Sequence, residues 1–317
     1  MKRKNNPKNK IDINNFTIDD YEKMIDKLGL AKAWDNILDF LTNKTIEEIS
    51  VNQLLTFENL GELYEIGLAY TNKIAKKDMG KYYTPQDVSI VMAELLLENK
   101  IKSIADVGCG TGNLIIEVLR MLKQKKGIDP IEFIMDGKLY LYDLDPIAMK
   151  ICLKKIDILL GAEVSDLINV SVGDFLDKRL DLPAGISVIT NPPYSVIKTF
   201  NKNWNVDDVV LQAKDLYASF MYKIINYCDN AVIVSPQSYL VADKFSKLRE
   251  KLTESFCGEI FSFDNVPGTL FNGRKHGIFN TNSANGVRAS IASIKRNGHT
   301  GFNLTHLIRF RTDQRED

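Results

Sequence analysis

From Ser103 onward the chain alternates two hydrophobic rhythms. Short runs rich in β-branched and other apolar residues occur at Ser103–Val107, Leu139–Tyr142, Ile168–Val172, Ser187–Thr190, Ala231–Val234 and Ile260–Phe263. Between or just ahead of them lie longer stretches with helical spacing, at Gln86–Glu98, Leu114–Lys123, Pro146–Leu160, Leu216–Tyr227 and Asp243–Glu254. The short runs predict buried strands and the longer ones predict helices. Strands that alternate with helices imply right-handed crossovers and a mostly parallel sheet, covered by helices on both faces. A final run, Arg288–Lys295, is expected to close the edge of that sheet.

Ahead of Gly80 the pattern is purely helical. Ala33, Trp34, Ile37, Leu38 and Leu41 fall on one face, as do Leu63, Ile66, Tyr70 and Ile74, and no proline occurs from Ile11 to Tyr83. The chain therefore divides into a small helical domain over 1–78 with a mobile, basic start, an α/β domain over 79–300, and a C-terminal tail over 301–317.

Charge narrows the possible partners. The 41 Lys and Arg balance 41 Asp and Glu, which excludes a polybasic nucleic-acid binder but leaves room for a local basic face. Asp264 to Asp317 carries such an excess, with eight Lys and Arg against four Asp and Glu. No apolar run approaches the ~20 residues of a membrane span. The basic start leads into a polar segment, so no secretory signal is expected and a cytoplasmic location is. Cys109, Cys152, Cys228 and Cys257 are widely spaced, and His276, His299 and His306 lack metal-ligand spacing. Neither a disulfide framework nor a metal site is expected.

Candidate chemistry gathers where the predicted strands end. After the first strand, Asp106-Val-Gly108-Cys-Gly110-Thr-Gly112 forms a turn in which glycines leave no Cβ between the chain and a ligand. It lacks a Gly-Lys-Ser/Thr sequence, so it is no phosphate-binding Walker loop. The second strand ends at Asp143, placed to accept both hydroxyls of a ribose. Asp145 precedes Pro146, a pattern suited to capping the next helix. The third strand ends at Asp174-Phe175, a carboxylate for an exocyclic amine of adenine beside a ring for its face. Carboxyl ends of consecutive parallel strands share one crevice.

The fourth strand ends Asn191-Pro192-Pro193-Tyr194. Two prolines remove two backbone donors, so nearby carbonyls meet little competition, and Asn191 adds a side-chain acceptor. Two acceptors can hold the hydrogens of a planar NH2 group and pull its nitrogen toward a nucleophilic shape. Tyr194 offers a face to the attached ring.

These motifs, in this order, resemble those of class I S-adenosylmethionine-dependent methyltransferases, specifically the N6-adenine DNA methyltransferases. Tyr83-Thr84-Pro85, just ahead of the helix at Gln86, is similar to a segment that closes over the cofactor in that family, including the modification subunits of type I restriction systems. The resemblance implies a Rossmann-like fold and S-adenosylmethionine as cofactor. It places Tyr83, Thr84, Pro85, Asp106, Gly108, Gly110, Asp143, Asp174 and Phe175 around the cofactor. Asn191, Pro192, Pro193 and Tyr194 would hold the target amine. Phe271 and Phe279 are candidates to stack on the flipped base, and Arg274, Lys275 and Arg288 to touch the DNA backbone. The implied setting is restriction-modification or an orphan methylase, with DNA and a separate specificity or restriction subunit as partners. A side-chain amide has the same NH2 geometry as adenine, so protein-glutamine and RNA adenine methylation stay open. So does a cofactor-binding subunit that is inactive without partners.

Overall fold

The computed structural model describes residues 84–264, 288–296 and 301–307. The helical domain expected over 1–78 lies outside them. Helix α1 (Gln86–Leu97) precedes strand β1 (Ile104–Val107), followed by α2 (Asn113–Lys126), α3 (Pro130–Met135), β2 (Leu139–Asp143) and α4 (Pro146–Leu160). Then come β3 (Asn169–Val172), β4 (Ile186–Thr190), α5 (Asp208–Ala213), α6 (Leu216–Ile225) and β5 (Cys228–Pro236). The described chain ends with α7 (Ser246–Ser255), β6 (Phe256–Phe263), β7 (Ala289–Arg296) and β8 (Phe302–Leu307).

All eight strands form one sheet in the order β3-β2-β1-β4-β5-β7-β6-β8. Strands β1 to β5 pair in parallel, whereas β7 runs antiparallel to both of its neighbours. Every residue of β1 and β4 is buried, as central strands covered on both faces must be. On one face, Met92 and Leu96 of α1 pack with Ile115 and Leu119 of α2 and Cys152 and Ile156 of α4. On the other, Tyr217 and Met221 of α6 pack with Phe245 and Leu248. No helix among the described residues is long and apolar enough to cross a membrane.

Local chemistry sets the helix starts. Asp145 accepts from the N–H groups of Ile147 and Ala148, so it caps α4, while Gly161 ends that helix in a left-handed conformation. Asp129 and Asp207 cap α3 and α5 in the same way. Those two short helices were not anticipated from the apolar pattern, although Asp129-Pro130 is a recognisable start signal.

Two expectations are corrected. Arg288–Lys295 does not close the sheet; β7 lies inside it, between β5 and β6. The tail expected from residue 301 begins instead with β8, which pairs in parallel with β6 and forms the edge. Asn303, Thr305 and His306 are polar and exposed, so β8 lacks the apolar run that marks a strand and is held by backbone pairing.

A candidate cofactor and amine-binding edge

The carboxyl ends of β1, β2, β3 and β4 bring the predicted residues to one edge. Thr190 at the end of β4 donates its hydroxyl to the carbonyl of Val107 at the end of β1, locking the two ends together. Gly108 then lies beside the Asn191–Tyr194 motif, and a Cβ on it would sit 3.9 Å from the carbonyl oxygen of Asn191.

The glycine turn is held by β2. The N–H groups of Gly108 and Cys109 donate to the Tyr142 carbonyl at 2.7 and 3.0 Å. Gly110 has φ +53°, and a Cβ there would meet no heavy atom of the described residues within 4 Å. Gly112 has a different role. With φ +88°, a Cβ on it would lie 2.6 Å from Cys152 Sγ, so its lack of a side chain lets α2 and α4 pack closely.

Asp143 is 7% exposed, and both of its carboxylate oxygens are engaged. Oδ2 accepts from Gly110 N at 2.7 Å and Oδ1 from Asp145 N at 2.8 Å. The carboxylate expected to meet a ribose therefore also ties the glycine turn to the end of β2. Asp106 is fully buried, and its Oδ2 accepts from Ile115 N in the first turn of α2 at 3.2 Å. It supplies across the turn the cap that left-handed Gly112 cannot. Its Oδ1 is buried with no hydrogen-bond partner among the described residues. Burial pushes its carboxyl up to about 8, with the nearby charge of Asp143 acting in the same direction.

Thr84, which is buried, meets the Asn191–Tyr194 motif directly. Asn191 Nδ2 donates to Thr84 Oγ1 at 3.0 Å. Behind it, Asn113 Nδ2 donates to the Thr84 carbonyl at 3.4 Å, and Lys155 Nζ to Asn113 Oδ1 at 3.2 Å. Pro85 occupies the N-cap position of α1. In the motif itself Pro192 is buried, while Pro193 and Tyr194 are partly exposed. Tyr194 donates its hydroxyl to the Val234 carbonyl at 3.1 Å and meets the Tyr217 ring edge-on, with centroids 6.2 Å apart.

Asp174 sits at the end of β3, as expected, but its surroundings were not foreseen. Oδ1 accepts from Leu176 N at 3.0 Å, and Oδ2 from the indole Nε1 of Trp204 at 2.6 Å. Phe175 is packed into the core beside that carboxylate. Its ring is 4% exposed, packs against Tyr142 and Phe220, and carries Lys223 Nζ 4.9 Å from its centre. Large rings next to β3 have a core to fill, and this one lies in it. Arg288 is exposed just ahead of β7. Tyr83, Phe271, Arg274, Lys275 and Phe279 lie outside the described residues.

Residues 55–275 match the N-6 DNA Methylase family. The chain belongs to that family. Among its relatives, the type I restriction enzyme MjaVII methylase subunit of Methanocaldococcus jannaschii is 26% identical over 196 residues, covering 60% of this chain and 32% of the relative. The type II methyltransferase M.BsuBI of Bacillus subtilis is 25% identical over 189 residues, covering 56% and 37%. This chain thus spans about a third of the length of the curated relatives it matches. A structure from Listeria monocytogenes, described as a class I S-adenosylmethionine-dependent methyltransferase, superposes with a TM-score of 0.59 at 16% identity over 90% of this chain and 89% of that one. A type I modification subunit from Vibrio vulnificus gives 0.58 at 18% identity, over 86% and 54%. The fold is that of the class I methyltransferases: a Rossmann-like sheet with one antiparallel strand inserted next to the last parallel pair.

Proposed function

We propose that this chain transfers the methyl group of S-adenosylmethionine to the N6 amine of adenine in DNA, as the methylase component of a restriction-modification system. The observation that carries this reading is the contact between Asn191 and Thr84, next to the glycine turn. It joins the motif suited to an amine to the segment that resembles the cofactor closure of N6-adenine methyltransferases.

The residues suit the cofactor on three counts. Among the described residues no atom adjoins a Cβ on Gly110, Asp106 Oδ1 is a buried polar atom without a hydrogen-bond partner, and Asp143 and Asp174 stand at successive strand ends. The cofactor would supply a sulfonium-activated methyl group. The protein's part is to hold the amine. Asn191 Oδ1 and the Pro192 carbonyl accept its two N–H bonds, which leaves the nitrogen lone pair aimed away from them. Positioning of this kind, rather than a strong base or a covalent nucleophile, supplies the acceleration. The amine's surplus proton passes to water after transfer. Unstacking the target base costs a few kcal/mol, and stacking on Tyr194, worth about 1–3 kcal/mol, offsets much of that.

The family relatives named as type I methylase subunits favour a separate specificity subunit as the source of sequence choice. The test is transfer of tritiated methyl from the cofactor to plasmid DNA, to RNA and to a glutamine-bearing protein substrate. Label in DNA, mapped to N6 of adenine, is the expected result. Label in RNA or protein alone would replace the reading. No label until a partner subunit is added would assign this chain the role of a dependent subunit.

A further inference from the structure

Residues 195–204 run from the catalytic motif to the cofactor edge and are pinned at both ends. At the start, Leu216 N donates to the Ser195 carbonyl and Ile197 N to the Lys214 carbonyl, each at 2.9 Å. At the end, Trp204 N donates to the Asn201 carbonyl at 3.0 Å and Lys178 N to the Asn203 carbonyl at 2.8 Å, while Asp177 and Trp204 form an isolated β-bridge. Trp204 Nε1 then reaches Asp174 Oδ2 at 2.6 Å.

The loop that Trp204 meets is itself held from behind. Lys223 Nζ donates to the carbonyls of Phe175, Asp177 and Leu180, so the turn after β3 is folded around one ammonium group. With that backbone fixed, the orientation of the Asp174 carboxylate is decided by two donors: Leu176 N on Oδ1 and the indole on Oδ2.

Each carboxylate oxygen has two lone-pair sites, so one site per oxygen is left for a ligand. An indole suits this arrangement because it is a donor only and carries no charge. It orients the carboxylate without neutralising it. A 6-amino purine then finds an acceptor, whereas a 6-oxo purine meets a lone pair with a lone pair. Sites built around a fixed hydrogen-bonding group discriminate most strongly against ligands that lack its complement.

We propose that Trp204 is a positioning residue that sets the Asp174 carboxylate to select the 6-amino group of the cofactor's purine. This rests on the reading of Asp174 as the adenine acceptor. It gives the strap leaving the catalytic motif a second task at the far end of the cofactor, which no motif in the chain signals.

Calorimetric titration of the full chain with S-adenosylhomocysteine and with its 6-oxo counterpart, S-inosylhomocysteine, tests this without turnover. Trp204→Phe should weaken S-adenosylhomocysteine about tenfold, because a carboxylate no longer held in orientation loses most of its own bond to the 6-amino group, and leave the 6-oxo ligand nearly unaffected. Asp174→Ala should weaken S-adenosylhomocysteine at least as much, and adding Trp204→Phe to it should change nothing further. To remove the donor while keeping the ring, benzothienylalanine can replace tryptophan in a Trp34→Phe chain, and the same tenfold loss is expected. Unchanged affinity in both Trp204 variants, an equal loss for both ligands, or losses that add to that of Asp174→Ala overturns the proposal. An Asp174→Ala chain that binds S-adenosylhomocysteine normally removes the adenine reading itself, and the proposal with it.

Discussion

Asn191 Nδ2 donates to Thr84 Oγ1 at 3.0 Å, across 107 residues of sequence. The contact ties the Asn191–Tyr194 motif to the segment just ahead of α1, with Nδ2 facing the hydroxyl. In the proposed function, Thr84 thereby helps orient the side chain that holds the amine.

Thr84→Val should therefore lower kcat by roughly 10- to 100-fold at saturating cofactor, because misplacing an acceptor by about 1 Å has effects of that order. Thr84→Ser keeps the hydroxyl and should restore most of the rate. Steady-state kinetics on DNA with both variants checks this. Equal rates for the valine and serine variants would show that the hydroxyl has no part in orienting Asn191.

The two ends of the catalytic motif should separate cleanly. Asn191→Ala should abolish transfer while S-adenosylhomocysteine affinity stays within about threefold, since the lost contact to Thr84 is a neutral hydrogen bond. Tyr194→Phe keeps the ring face but loses the bond to the Val234 carbonyl, and should cost about 1 kcal/mol in stability while leaving most of the rate. Calorimetry, urea unfolding and the transfer assay together provide the readout.

Burial holds Asp106 protonated up to about pH 8, against an ordinary value of 3.8. Between those values the folded chain keeps a proton that the unfolded chain releases, so this group's contribution to stability falls as pH rises, and levels off above 8. Asp106→Asn mimics the protonated form and should remove that slope. The melting temperature of the variant, relative to the wild-type chain, should climb from pH 5 to pH 8 in scans at constant ionic strength. Parallel curves would mean that Asp106 titrates normally.

A Cβ on Gly112 would overlap Cys152 Sγ at 2.6 Å in a backbone conformation that side chains rarely adopt. Gly112→Ala should destabilise the chain by about 1–3 kcal/mol. Adding Cys152→Ala removes the overlap but not the backbone strain, so it should recover part of the loss. Thermal unfolding of the single and double variants measures both shares. Full stability in Gly112→Ala would show that α2 and α4 can separate without cost.

The parts of this edge that the chain announces are those whose signal is local. Asp106 through Gly112, Asp143, Asp174 and Asn191 through Tyr194 each sit where an apolar run stops, so pattern and chemistry coincide within a few residues. Asp145 with Pro146 likewise carries its own cap signal. The contacts that orient those groups are not local. Trp204 lies 30 residues from Asp174, and Thr84 lies 107 from Asn191. Nothing in either residue's neighbours indicates its partner. The packing of Phe175 against Tyr142 and Phe220 is not legible either, because an aromatic beside a candidate acid looks the same whether it faces a ligand or the core. Strand β7 was placed at the edge because sheet order depends on crossovers, which apolar periodicity does not encode.

The antiparallel course of β7 has an architectural consequence. Because it runs against β5 and β6, it begins at the edge where they end, so Phe263 and Ala289 both stand at the edge that carries the glycine turn. A connection that leaves and returns on that side behaves like a fitting on a workbench. Both anchors of that connection are strand ends held in the eight-stranded sheet, so the frame brings the chain back a second time to the edge that carries the glycine turn and the Asn191–Tyr194 motif.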